Sequence, residues 1–387
     1  MMGSSAKFTL KNCARPRKSF PMTELDLAAT TQPTSLATLL ASAAEPHELT
    51  VYRGVLTPRE LDAPTREIAA LVTGAAVHDL GWLKRIAVHG EDRFRWLSGM
   101  VTNMVSELAT NTGAWNLVLN AQGRIQGDLT AWREGDEIEL VIEACQLDRL
   151  MAHLERFIIM DDVELVALGD EQALGLTGPA SDEVLGRLSL PTLSEPLTST
   201  RVEWNGLDLR IMRGYGTLAP HYELWTPEAG IKKLWKALRT GGATPVGCAS
   251  VESFRVAEGI PAYGIEMAER DLPQETSQMR ALNFNKGCYL GQEIVERIRS
   301  RGSVHKHLRQ LELDGPLPPA AAELTLDGGT AAGQIANAVE LALPKGTRIF
   351  ALGMIRGEAE LRNQPLTYTA GTATGIARIL AAPPSLN

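Results

Sequence analysis

The spacing of apolar residues changes several times along the chain, and each change marks an element. Residues 85–90, Arg-Ile-Ala-Val-His-Gly, alternate with period two and predict a strand closed by glycine. Glu91-Asp92 then opens a helix that carries Phe94, Leu97 and Met100 on one face. Residues 115–119 and 124–132 read as strands joined by the turn Asn120-Ala121-Gln122-Gly123, a hairpin. A strand at 138–142 follows, then a helix at 147–157 with Leu147, Leu150, Met151 and Leu154 at helical spacing, then an extended stretch at 163–168. This order predicts an α+β unit with a mainly antiparallel sheet, not a doubly wound one.

Residues 174–248 repeat the mixture, with strands at 207–212 and 221–225 and a helix at 231–238 ended by Gly241-Gly242. A helix at 250–258 runs into the turn-rich segment 259–264, and Ile294, Val295 and Ile298 predict a short helix starting near Gly291. Beyond Val304 the pattern breaks into short extended pieces at 307–313, 323–326, 333–336, 347–352 and 375–379, separated by glycine and proline, which predicts a small all-β domain, a partial barrel. The resulting division is a poorly ordered extension at 1–48, a first α+β domain at 49–170, a second at 171–304 and a β-barrel-like domain at 305–387. A length of 387 residues suits two or three cores.

Composition narrows the class. Hydrophobic residues at 44% and charged residues at 22% fit an ordinary globular protein, and no apolar run is long enough for a membrane span. A formal charge of −8 argues against direct DNA binding by the whole surface. Cys13, Cys145, Cys248 and Cys288 are far apart, so neither a disulfide framework nor a metal site is expected, and the cytoplasm is the expected compartment. Lys7, Lys11, Arg15, Arg17 and Lys18 precede the first acid, Glu24; an extended N-terminus, or a start at Met22, is favoured over a transit peptide.

Four stretches carry candidate chemistry. Residues 286–293 read Lys-Gly-Cys-Tyr-Leu-Gly-Gln-Glu and place Cys288 in a glycine-bounded loop before a helix, beside Lys286; both features favour thiolate, against the alternative of a buried cysteine in a tight turn. Asp128 ends the hairpin and would orient or deprotonate an amine, unless it is a solvated strand-end carboxylate. Arg255 would clamp a carboxylate, unless it pairs with Glu258 along the helix. Arg297, Arg299, Arg301, Lys306 and Arg309 reverse the overall charge locally and would attract a polyanion such as a polyglutamylated cofactor or RNA, unless they are a solvated basic edge.

The octapeptide 286–293 resembles the signature of YgfZ-type folate-binding proteins, relatives of the glycine-cleavage T-protein (aminomethyltransferase), and the likeness runs from about residue 51 onward through 79–82, 90–92, 120–128 and 255–266. The resemblance implies three domains in a ring around a folate-sized channel, with tetrahydrofolate as ligand. On that reading Trp82, Leu83, Asn120, Asp128, Arg255, Tyr263, Lys286 and Tyr289 bind the cofactor, and Cys288 and Asp128 are the reactive groups. It further implies an accessory role in the assembly or repair of iron–sulfur enzymes, including tRNA-modifying ones, with iron–sulfur client or assembly proteins as partners. Since clusters usually take four ligands, Cys288 would act with a partner. The alternative is folate-dependent aminomethyl or methyl transfer. This chain has Gly127-Asp128 where the T-protein has two aspartates, and Ala219 near the place of the glutamate that holds the pterin. Both departures count against transfer.

Overall fold

The computed structural model describes residues 31–42 and 47–386. Most of the expected N-terminal extension, including Cys13, lies outside the described residues. Residues 31–42 correct that expectation: Ser35–Ala41 is a helix, its first turn capped by the Thr34 hydroxyl, with Leu36 and Ala37 buried.

Strands β1 (Leu49–Tyr52) and β2 (Val55–Pro58) form a hairpin. Strand β3 (Ala76–Asp79) is followed by β4 (Leu83–His89), β5 (Thr112–Leu119), β6 (Ile125–Glu134), β7 (Glu137–Glu143) and β8 (Glu164–Leu168). The last five make an antiparallel sheet in the order β5-β6-β7-β4-β8. Along β6 the alternation sorts the side chains. Leu129 and Ala131 enter a core with Leu150 and Leu154 of the helix Leu147–Glu155, while Asp128, Thr130 and Trp132 face the other way, into the centre of the molecule.

The second sheet contains β9 (Glu171–Thr177), β10 (Ser199–Trp204), β11 (Leu207–Arg213), β12 (His221–Pro227) and β13 (Thr244–Val246), in the order β10-β11-β12-β9-β3-β13. Only β3 and β13 run parallel within it. Leu174, Leu176, Tyr222 and Leu224 pack under the helix Ile231–Thr240. The opposite face meets the first sheet, where Ala173, Met212 and Trp225 pack against Trp132 and Val141. Sheet membership does not follow a single cut at residue 170, because β3 pairs with β9 and so sits in the second sheet. A four-residue strand with no polar alternation, all of it buried, carries no signal of that partnership.

Strands β14 (Lys306–Asp314), β15 (Glu323–Thr325), β16 (Ala331–Leu343), β17 (Gly346–Arg356), β18 (Leu366–Ala370) and β19 (Ala373–Ile379) close into a six-stranded antiparallel barrel. The architecture is therefore α+β with mainly antiparallel sheets and a C-terminal barrel. The barrel is closed rather than partial. Its longest strands, β16 and β17, were visible in sequence only toward their N-terminal ends, because alanine, glycine and asparagine dilute the strand signal of β16. Phe350 and Leu341 of the barrel pack on Leu71 of the helix Pro64–Thr73 and Phe254 of the helix Cys248–Ala257, joining the barrel to the rest.

Phe350 is fully buried in that joint. Phe350→Ala should cost about 3–5 kcal/mol in urea unfolding through lost transfer energy and a residual cavity. A loss below about 1 kcal/mol would show that the barrel joint contributes little.

Candidate functional site

Where the two sheets and the helix Cys248–Ala257 converge they leave a cavity of about 220 Å³, lined among others by Trp82, Trp115, Asp128, Trp132, His221, Glu223 and Arg255. A second chamber of about 440 Å³ adjoins it toward the barrel, and the two share Tyr215, Glu258, Ile260 and Arg280.

Asp128 is the most fully built group. Its Oδ2 accepts from the Trp115 indole N–H at 2.9 Å and its Oδ1 from the Gln146 amide at 3.0 Å. Gln146 also accepts from the Asp128 backbone N–H at 3.1 Å. Gly127 explains the missing second aspartate. A Cβ there would lie 2.6 Å from Leu150 Cδ1 and 2.7 Å from Gln146 Oε1, so a side chain would displace the residue that holds Asp128. Trp82 lines the same cavity, edge-on to Tyr52 at 5.7 Å, with the Arg53 guanidinium 5.1 Å from its ring. Asp79 supports the turn before it, accepting from Thr34, from Thr57 at 2.7 Å and from Gly81 N–H at 2.8 Å.

Arg255 lines the cavity but has no N–H to spare. Its Nε and Nη2 donate to Glu252, its Nη1 and Nη2 to Glu266, and Nη1 also to the Ile260 carbonyl. All five donors of a guanidinium are thus engaged. The pairing expected with Glu258 is made with Glu252 and Glu266 instead. Asn337 of β16 donates to Glu252 and Glu266, while Arg53 pairs with Glu143 and Glu252. Burial pushes the Glu252 carboxyl up, but the Arg255 and Arg53 charges outweigh it and hold the group well below the usual carboxylate range.

The cation that the cavity does present is Arg280, which the sequence reading missed. Its guanidinium carbon lies 3.8 Å from the Tyr215 ring centre and 4.1 Å from that of Trp115, and Nε donates to Gln278 at 3.3 Å. Burial pulls it down to about 10, so it remains charged at neutral pH. Glu258 faces the same space. It accepts from the backbone N–H groups of Thr217 at 3.0 Å and Leu218 at 3.1 Å, which brings a carboxylate to the loop where Ala219 stands.

The other expected site residues lie elsewhere. Leu83 packs in the core between the sheets. Asn120 accepts from Gln122 and Arg124 N–H at 3.0 Å and closes the hairpin turn. Tyr263 accepts from Arg149 at 2.9 Å away from the cavity. Tyr289 is buried in a core with Trp115, Leu117 and Val295. Lys286 does not serve Cys288. Its ammonium donates to the carbonyls of Ser98, Val101 and Asn103 at 2.6–2.8 Å and caps the C-terminal end of the helix Arg93–Met100. Cys288 itself is exposed and lines neither chamber. Gly291, at φ 82°, packs on the hairpin turn, where a Cβ would meet the Asn120 carbonyl at 2.5 Å. The octapeptide is thus a clamp between the second unit and the first.

The basic stretch is partly paired. Lys306 pairs with Asp271 at 2.7 Å, Arg309 and His307 with Glu360, and Arg299 with Glu296. Among the described residues no group of three or more His, Cys, Asp or Glu side chains is arranged for a metal ion, and no helix is long and apolar enough to cross a membrane.

Two α+β units and a closed barrel, around an aromatic cavity holding an anchored carboxylate, define a three-part architecture of the T-protein type. Residues 48–286 match the GCVT N-terminal domain, and the chain belongs to that family. It is 25% identical over 285 residues to an aminomethyltransferase of Thermoanaerobacter pseudethanolicus, covering 71% of this chain and 77% of that protein. An aminomethyltransferase of Rubrobacter xylanophilus is 29% identical over 255 residues, 64% of this chain and 68% of the relative. A putative chloroplastic transferase of Arabidopsis thaliana is 26% identical over 271 residues, 69% and 62% of the two chains. The crystal structure of the glycine cleavage system aminomethyltransferase T from Bartonella henselae shares the fold, with a TM-score of 0.80 at 19% identity over 92% of this chain and 99% of that one.

Burial raises Glu258 to about 7 from an ordinary 4.5. Between these values the folded chain holds a proton that the unfolded chain releases. The contribution is therefore present below the unfolded pKa and lost as pH rises through about 7. Glu258→Gln cannot ionise, so its Tm relative to wild type should rise between about pH 5 and pH 8; a constant difference would show that Glu258 is not shifted.

Proposed function

We propose that the chain binds a tetrahydrofolate in the central cavity and handles a one-carbon unit there. The anchored Asp128 is the observation that carries this reading. Each of its oxygens has one fixed donor, which leaves a lone pair on each to accept from a ligand N–H, and the carboxylate is not free to rotate away. The surroundings fit such a molecule: Trp82, Trp115, Trp132 and Tyr215 offer aromatic surface, and Arg280 offers a cation for an acidic tail. Tetrahydrofolate, when bound, supplies the nitrogens that carry a one-carbon unit. Asp128 would hold and accept the proton at that nitrogen, and Arg280 would orient the acidic end. Membership of the GCVT N-terminal domain family supports an aminomethyltransferase-type activity.

The second reading is an accessory role toward iron–sulfur enzymes, as in the YgfZ branch. Exposure of Cys288 outside the cavity favours it, since a thiol on the surface meets a protein partner more readily than a buried ligand.

Titration with tetrahydrofolate, read by tryptophan fluorescence and Tm, should give saturable binding. Asp128→Asn, which keeps one acceptor oxygen for the two donors, should weaken it by about tenfold while the circular-dichroism spectrum stays native. Absence of any folate binding would discard both readings. Turnover of methylated amines with tetrahydrofolate selects the transferase. The accessory role is selected instead if turnover is absent and Cys288→Ala fails to support iron–sulfur enzyme activity; full complementation by that variant discards it.

A further inference from the structure

The wall of the cavity formed by the second sheet carries three polar side chains in a row that the reading above does not use. His78 on β3, Thr177 on β9 and His221 on β12 project from the same face of three adjacent strands. His78 Nε2 lies 3.0 Å from the Thr177 hydroxyl oxygen, which lies 2.7 Å from His221 Nδ1. The sheet is built to admit this row. Gly175 sits opposite His78, and a Cβ there would lie 2.0 Å from the His78 ring.

The partners decide where the protons are. His78 Nδ1 faces the Asp79 carbonyl at 3.3 Å, and a carbonyl only accepts, so Nδ1 carries the hydrogen. Burial pulls both rings far below their ordinary value, to about 4 for His78 and about 3 for His221, so each has one N–H. His78 Nε2 is then a lone pair and takes the Thr177 proton. Having given its only hydrogen, the Thr177 oxygen accepts from His221 Nδ1–H. What remains is the lone pair on His221 Nε2, which has no partner among the described residues, on a ring that lines the cavity. Two positions along the same strand face, Glu223 accepts from the Trp225 indole N–H at 3.1 Å through Oε2, while its Oε1 has no partner among the described residues.

We infer that His221 is a ligand-reading residue, locked by Thr177 and His78 into the tautomer whose Nε2 accepts a hydrogen bond from the bound molecule. With Glu223 it makes a wall of two acceptors, suited to a planar heterocycle whose edge carries N–H donors. This rests on the cavity being a folate site and assigns the donor-bearing edge of the pterin to this wall. His221 would touch the ligand; Thr177 and His78 are positioning residues.

The test is a titration of the full chain with 5-formyltetrahydrofolate, a stable folate, together with ¹⁵N-histidine NMR. In the free protein His221 Nε2 should resonate as an unprotonated nitrogen and move toward the hydrogen-bonded position on addition of the folate. His221→Phe should lower affinity about tenfold with an unchanged Tm. Thr177→Val should weaken binding and blur the tautomer signal, and Thr177→Ser, which keeps the hydroxyl, should restore both. If wild type and His221→Phe bind equally, or if Nε2 carries the hydrogen, this inference falls while the folate reading stands. If wild type binds no folate, both fall.

Discussion

The buried charge network around Arg255 is the constraint on which the arrangement of the three units depends. Arg53 comes from the first hairpin, Glu143 from the end of β7, Glu252 and Arg255 from one helix, Glu266 from the following loop and Asn337 from the barrel. Glu266 is fully buried and the Arg53 side chain 5% exposed, so none of these charges can be left alone without a desolvation cost of several kcal/mol. Such a network contributes little net stability against an apolar replacement, yet it penalises every arrangement that separates its members. It therefore specifies how the units meet more than how tightly they hold.

That specification makes the cavity. With Arg255 committed to Glu252 and Glu266, the site keeps a different cation, Arg280, held between the rings of Tyr215 and Trp115. The two sheets contribute opposite characters to the walls. The first sheet supplies Asp128 and the indoles of Trp115 and Trp132; the second supplies the hydrogen-bonded row from His78 to His221. Lys286 and Gly291 then fasten the second unit to the helix and hairpin turn of the first, which explains why the octapeptide, chemically rich as it looks, works mostly as a clamp.

Much of this was legible in the chain. The hairpin around Asn120, the helices at 93–100 and 147–155 and the strand character of the C-terminal region all follow from local spacing, because a side chain's direction repeats every two or 3.6 residues. Asp128 stood out as the carboxylate that ends the hairpin, and period two in β6 then places it on the face opposite Leu129. Trp82 entered through the family resemblance of residues 79–82. Gln146 and Arg280 carry no local mark: their importance comes from meeting Asp128 and Trp115 across other elements.

By itself, then, the sequence determined many of the elements and their order, the α+β class with a β-rich end, and one carboxylate of the cavity. These depend on contacts within a few residues. The closure of the barrel, the transfer of β3 into the second sheet, the commitment of Arg255, the capping role of Lys286 and the exposure of Cys288 were decided by tertiary structure alone. Each depends on partners many residues away, and a side chain with several chemically suitable partners takes its role from whichever the fold brings within hydrogen-bonding distance.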